Sequence, residues 1–243
     1  MIKGMYRSAS GMLPRIEKQE AIANNIANAN TTGFRKNVVF ARELANAETR
    51  LAPKKVDWQQ TVANYITVDY APGVFDKTGN PLDLAIEGDG FFRLLADDGS
   101  TVLTRSGSFV VDAGGYLAMP GGFRLQGDGG PIQVGEGEPA VAQTGEVEVN
   151  GVPAGRITPQ SPVDLDSLQR LGGSLFGVPE NVELLPSLSA TVSQGYLETS
   201  NVDVVNEMVD MIVAYRTYEA NARALQTQDN SLEHLLGKVA GRR

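Results

Sequence analysis

No cysteine occurs among the 243 residues, and histidine occurs once, as His234. Disulfides, thiolate metal sites and cysteine nucleophiles are therefore excluded, and so are histidine-cluster metal sites. No apolar run approaches the roughly 18–20 residues of a membrane span, so no membrane insertion is expected. Near the N-terminus, Arg15, Glu17, Lys18 and Glu20 interrupt the place where the apolar core of a secretory signal would lie, so no cleaved signal is expected. Glycine and proline are scarce at both ends: 22 of the 27 glycines and 10 of the 12 prolines fall within 69–200. The ends therefore read as helices and the middle as a turn-rich segment.

Hydrophobic residues make up 42% of the chain, enough for a core in one large or two small domains. The net charge of −8 is unevenly spread. Residues 1–45 carry a local charge of +4, and residues 69–200 a local charge of −12. An acidic body repels nucleic acid and anionic membranes, and no nucleic-acid partner is expected. The basic residues near the N-terminus are dispersed, as on the solvated face of a helix.

The first helix is visible in its spacing. Ile2, Met5, Ala9, Met12, Ile16, Gln19, Ala23, Ile26 and Asn30 recur at alternating steps of three and four, the 3.5-residue period of a helix packed along another helix. Gly33 is expected to end it in the left-handed conformation, with Phe34 folding back as an apolar anchor, and Pro14 is expected to kink it. The last helix repeats the pattern through Val204, Met208, Met211, Tyr215, Tyr218, Ala222, Leu225, Asp229 and Leu232. Val205, Val209 and Ile212 broaden its first half, which predicts more than one neighbour there. Ser200 or Asn201 is the expected cap, with Asp203 in the first turn.

Between the helices the period drops to two. Leu82–Ile86, Phe91–Leu95, Thr101–Arg105, Ser108–Val111, Tyr116–Ala118 and Phe123–Gln126 predict short strands separated by glycine-rich turns. Glu146–Val149 and Val152–Ile157 flank Asn150-Gly151, a type I′ hairpin signal. Residues 158–190 follow no clear period. The expected fold class is α+β, with N- and C-terminal helices pairing as a coiled-coil-like domain around a central antiparallel β domain. The corresponding divisions are 1–34 for the first helix, 35–68 for a linking segment, 69–199 for the β domain and 200–243 for the last helix.

Two long helices with only each other bury little surface and are marginal in water, so they are expected to gain order in an assembly. The stretch Ala21–Asn30 places four asparagines in seven positions. Asparagine in a helical seam sets register; alternatively, the stretch is an exposed, fraying helix end.

Ala21–Lys36, reading AIANNIANANTTGFRK, resembles the N-terminal signature of bacterial flagellar rod and hook proteins. Gly195–Val202 resembles the start of their C-terminal segment, which the helix containing Glu207-Met208-Val209 and Tyr215-Arg216 continues. Asn80–Phe92 and Thr104–Phe109 resemble their central β segment. The resemblance implies a structural subunit without catalysis or cofactor, self-assembling through its terminal helices into a hollow axial tube that links motor to hook and transmits torque. The implied partners are other copies of the chain, other rod proteins and the flagellar export apparatus. The implied location is the basal-body rod, in the periplasmic space. The opening Gly4-Met5-Tyr6 with Ser8–Met12 is most similar to proximal rod proteins; the distal rod is the alternative.

The expected assembly interface comprises Met5, Ala9, Met12, Ile16, Ala23, Asn24, Asn25, Ile26, Asn28, Asn30, Gly33 and Phe34 at one end. At the other it comprises Asn201, Val204, Met208, Met211, Tyr215, Tyr218, Ala222, Leu225 and Leu232.

Other chemistry fits less well. Asp97-Asp98-Gly99-Ser100, Asp89 and Asp128 lack the alternating register of a calcium loop and read as turns. Gly127–Gly130 misses the dinucleotide spacing, and Gly172-Gly173-Ser174 misses the nucleophile elbow. His234 reads as a surface or interface residue. The best enzyme alternative is a secreted carboxylate-pair hydrolase using Asp83, Glu87 and Asp89.

Overall fold

The computed structural model describes residues 2–43, 62–179, 181–187 and 189–240. These form two compact units, one built from 2–27, 37–43, 62–69 and 203–240, the other from 28–36 and 70–202.

The first unit contains two helices, α1 (Ile2–Ala27) and α2 (Val204–Ala240), and two strands, β1 (Asn37–Glu43) and β2 (Val62–Val68). Helix α1 is continuous through Pro14 and stops at Ala27, six residues before Gly33. Gly33 is left-handed, with φ 65°, but in a later turn rather than as the helix cap. Strands β1 and β2 pair antiparallel from Asn37↔Val68 to Glu43↔Val62. They occupy both edges of the stretch expected as a linking segment, whose residues 44–61 lie outside the described residues. Helix α2 is capped by Asp203 instead of Ser200 or Asn201. Its carboxylate accepts from the backbone N–H of Val205 at 3.0 Å and of Asn206 at 3.1 Å, satisfying donors that the first turn leaves free.

The second unit is built of short antiparallel strands around one core. Its largest sheet contains Phe92–Leu95, which pairs with Thr101–Thr104 on one side and Arg124–Gly127 on the other. Leu84–Glu87 pairs instead with Thr191–Gln194, and Glu146–Val149 with Val152–Arg156. Leu84, Phe92, Phe109, Leu125, Val147 and Val192 meet in the interior, with Phe92 and Phe109 edge to face at 5.3 Å. Each fully buried side chain of this size contributes roughly 1.5–3 kcal/mol relative to an exposed one. The Asn150-Gly151 turn has φ of 52° and 79°, the two positive values that type I′ requires. The aperiodic stretch 158–190 also supplies strands, among them Gln160–Pro162 with Leu184–Pro186, and Gln169–Gly172 with Leu175–Gly177.

These findings correct the expected fold class. The chain is mostly β, with two α-helices among the described residues, and those helices do not pair as a coiled coil. Lys18 Nζ lies 3.8 Å from Asp210 and Asn25 Nδ2 lies 3.3 Å from Glu207, so α1 and α2 run antiparallel side by side. Among the described residues, no large apolar residue of the expected seam is fully enclosed. Met208 is 51% and Tyr215 60% exposed, and Ile16 and Ala23 are exposed too. The enclosed positions are Ala21, Ile22 and Asn25 on α1 and Ala214 on α2. A coiled coil requires large apolar knobs repeated along both helices, whereas here Ile22 is the one large apolar side chain enclosed among the described residues of the two helices, beside two alanines and an asparagine.

Candidate functional site

Asn25 is the buried asparagine of the asparagine-rich stretch. Its Oδ1 accepts from the Asn37 backbone N–H at 2.8 Å, and its Nδ2 donates to the Asn37 carbonyl at 2.9 Å. The same Nδ2 donates to Glu207 Oε2 on α2. One buried amide thus satisfies both backbone groups at the start of β1 and reaches the other helix. An unpartnered buried amide is costly, so this pairing explains how asparagine is tolerated there. Asn24 Oδ1 accepts from the Asn37 side chain at 3.3 Å, and Asn28 Oδ1 accepts from the Thr31 hydroxyl at 3.3 Å.

The outer face of α2 has a different character. Val205, Met208, Val209 and Ile212 stand at i, i+3, i+4 and i+7, Tyr215 follows three residues on, and all are exposed, Val205 by 71%. A contiguous apolar stripe of this kind marks an interaction surface. Beside it lies a mainly apolar groove lined by Gln19, Met211, Ile212, Tyr215, Arg216 and Glu219.

The remaining residues of the expected interface fall into three groups. Ile26, Val204, Met211, Tyr218, Ala222 and Leu225 are half-buried, while Asn30 is exposed. Gly33, Phe34 and Asn201 belong to the second unit, where Phe34 is fully enclosed. The side chains of Met5, Ala9, Met12 and Leu232 lie outside the described residues.

Sequence reasoning missed a buried charge cluster in the second unit. One Glu198 oxygen lies 2.6 Å from Arg35 Nη2 in an ion pair, and the other accepts from Arg105 Nη1 at 3.4 Å. Arg105 also donates to the carbonyls of Ile86, at 2.9 Å, and Gly88. Burial lowers the pKa of Arg105, and the neighbouring carboxylate of Glu198 opposes that shift. No periodic signal flags such residues, because a buried ion pair looks like any charged surface position in a one-dimensional pattern.

Two of the three acids considered for hydrolysis hold hydrogen bonds within the fold, and Asp89 is exposed. Asp83 accepts from the Thr78 hydroxyl at 2.6 Å and Asn80 Nδ2 at 3.1 Å, closing a turn. Glu87 accepts from Ser193 at 2.8 Å. Among the described residues, no group of three or more His, Asp or Glu side chains is placed to hold a metal ion.

Three family models match the chain. One described as the flagella basal body rod protein matches residues 5–35, and one described as the flagellar hook protein FlgE/F/G D1 domain matches 85–152. A third, the flagellar basal body rod FlgEFG protein C-terminal region, matches 193–237. The flagellar basal-body rod protein FlgF of Caulobacter vibrioides is 33% identical over 96% of this chain and 95% of its own length. The rod proteins FlgG of Borreliella burgdorferi and Agrobacterium fabrum are 30% and 31% identical, over 96% and 94% of this chain and 97% and 96% of their own lengths. The two helices, the asparagine stretch and the β core all fall within these full-length matches, and the chain belongs to the family of flagellar basal-body rod proteins.

Proposed function

We propose that this rod subunit assembles through its terminal helices into a hollow axial tube that links the motor to the hook and transmits torque. The observation that carries the reading is the apolar stripe Val205, Met208, Val209, Ile212 and Tyr215, which one copy leaves open to solvent. A surface that is apolar on one side and differs from the patch it meets on the next copy generates a filament instead of a closed ring. In this reading the interface residues of 1–34 and 200–243 line the tube, residues 35–68 link, and the β unit of 69–199 packs outside them. The partners are further copies, other rod proteins and the export apparatus, and the chain performs no catalysis.

A proximal position is favoured. The opening Gly4-Met5-Tyr6 supports it, and so does the 33% identity to a protein named FlgF over an alignment of 239 residues, close to the length of this chain. The distal position is the second reading, favoured by relatives named FlgG that also match end to end. Electron microscopy of basal bodies from a strain lacking the gene separates them. Arrest at a short rod supports the proximal position, and a longer rod without a hook supports the distal one. Complete flagella in motile cells count against both. Val209→Asp tests the stripe: the purified variant should keep its stability within about 0.5 kcal/mol, as for an exposed position, but fail to restore motility.

A further inference from the structure

The chain passes between the two units four times, after residues 27, 36, 69 and 202. On the side of the second unit, the segments at all four crossings, 28–36, 70–74 and 196–202, are tied to one another. The Gly33 N–H donates to the Glu198 carbonyl at 2.8 Å, and the Gly73 N–H to Glu198 Oε1 at 2.9 Å. Asn201 accepts from the Lys36 N–H at 2.7 Å and donates to the Ala71 carbonyl at 3.0 Å. The Thr199 N–H donates to the Val74 carbonyl at 2.8 Å. Each segment thus bonds at least one of the other two, and the pairing of Tyr196–Glu198 with Phe75–Lys77 continues directly from them.

Side chains lock this knot to the β core. Glu198 holds Arg35 and Arg105, as above. Arg170 lies between the rings of Phe34 and Phe176, 4.7 and 5.0 Å from their centroids, and donates to the Arg35 carbonyl. Cations so placed over aromatic faces are attracted to them. Tyr70 packs on Phe176 and Phe91, with its hydroxyl donating to the Leu165 carbonyl at 2.9 Å. Two glycines mark how closely the backbones approach. A Cβ on Gly33 would lie 2.2 Å from the Ser106 nitrogen, and one on Gly73 would lie 2.0 Å from the Thr199 oxygen.

We infer that this knot is a clamp that fixes the second-unit end of every chain crossing, and that Arg35, Glu198 and Arg170 are positioning residues for assembly. The inference rests on the proposed tube. A helix can present its stripe to a neighbour reproducibly only if the chain beside its end is held, and the tied segments 28–36 and 196–202 are the ones that follow α1 and precede α2.

Arg35→Met is the discriminating variant, because Glu198 keeps Arg105 and no charge is left alone. Arg170→Met removes the stacked cation while keeping the bulk. Hydrogen exchange on the purified full-length chain should show the amides of Gly33, Lys36, Gly73 and Thr199 exchanging at least about tenfold faster in both variants, while those of Leu94 and Leu125 stay unchanged. Acceleration of core and knot alike would mean general destabilisation and overturn the clamp, as would no acceleration at all. The variant genes are then expressed in the deletion strain beside the wild-type gene. Reduced swimming with the knot released supports the positioning role, and wild-type swimming with the knot released overturns it. The exchange result stands whether or not the chain builds a rod, so failure of wild-type complementation would count against the proposed function alone.

Discussion

The two units solve the problem of burying apolar surface in opposite ways. In the β unit, Phe92, Leu94, Leu103 and Leu125 are withdrawn completely from water, and strands from separate sheets share one interior. In the helical unit, the enclosed residues of α2 amount to Ala214 among the described side chains, while Val205, Val209 and Ile212 face outward. The first arrangement completes its packing within one chain. The second leaves apolar surface uncovered, and its internal order depends on a few polar contacts such as Asn25 with Asn37. Closed packing and open apolar surface therefore lie in different parts of the same polypeptide.

That contrast can be broken at graded strengths. Phe92→Ala should have the largest effect, about 3–5 kcal/mol, because it opens a cavity in the closed core and removes the edge-on contact with Phe109. Denaturant unfolding followed by near-ultraviolet dichroism would measure it. Asn25→Ala comes next, at about 1–3 kcal/mol, since it strands the N–H and carbonyl of Asn37. Faster exchange of the Asn37 amide, with the β core unaffected, would confine the damage to the helical unit. Asp203→Ala should cost α2 about 1 kcal/mol through its lost cap, visible as earlier melting of the helical dichroism signal.

The smallest effect sharpens the comparison through pH. Burial pushes Tyr70 up to about 12, opposed by the positive charge of Arg170 and aided by Asp166 and Asp164. The folded state thus favours the neutral phenol. Its contribution is fully present below the ordinary value near 10 and is lost as the pH rises through 10 towards about 12. Ultraviolet titration should resolve a late-ionising tyrosine that Tyr70→Phe removes, together with part of the alkaline loss of stability.

Much of the secondary structure was legible because strand and helix periods differ. The pairs of strands around Asn150-Gly151 and along 92–104 follow from alternation and turn chemistry. The phase of the helical seam was not legible. Helix α2 has apolar residues at 204, 205, 208, 209, 211, 212 and 213, so two faces one residue apart satisfy the same period. Ranking by hydrophobicity selected Met208 and Tyr215, whereas the fold encloses Ala214 and turns the larger residues outward. The strands in 158–190 were hidden for another reason: they are three or four residues long, with exposed positions that mask alternation.

The Arg35, Arg105 and Glu198 cluster is the clearest limit on one-dimensional reading. These residues are 70 and 93 positions apart along the chain, and only the return of the backbone to one point makes a buried ion cluster of them. The sequence by itself determined the two helices, the strands and turn around Asn150-Gly151 and the family, because these rest on local spacing and on motifs of contiguous residues. Tertiary structure alone decided which helix face is covered, which asparagine carries the hydrogen bonds and which charges are buried. Those outcomes depend on what lies opposite each residue in space, and local spacing carries no record of that.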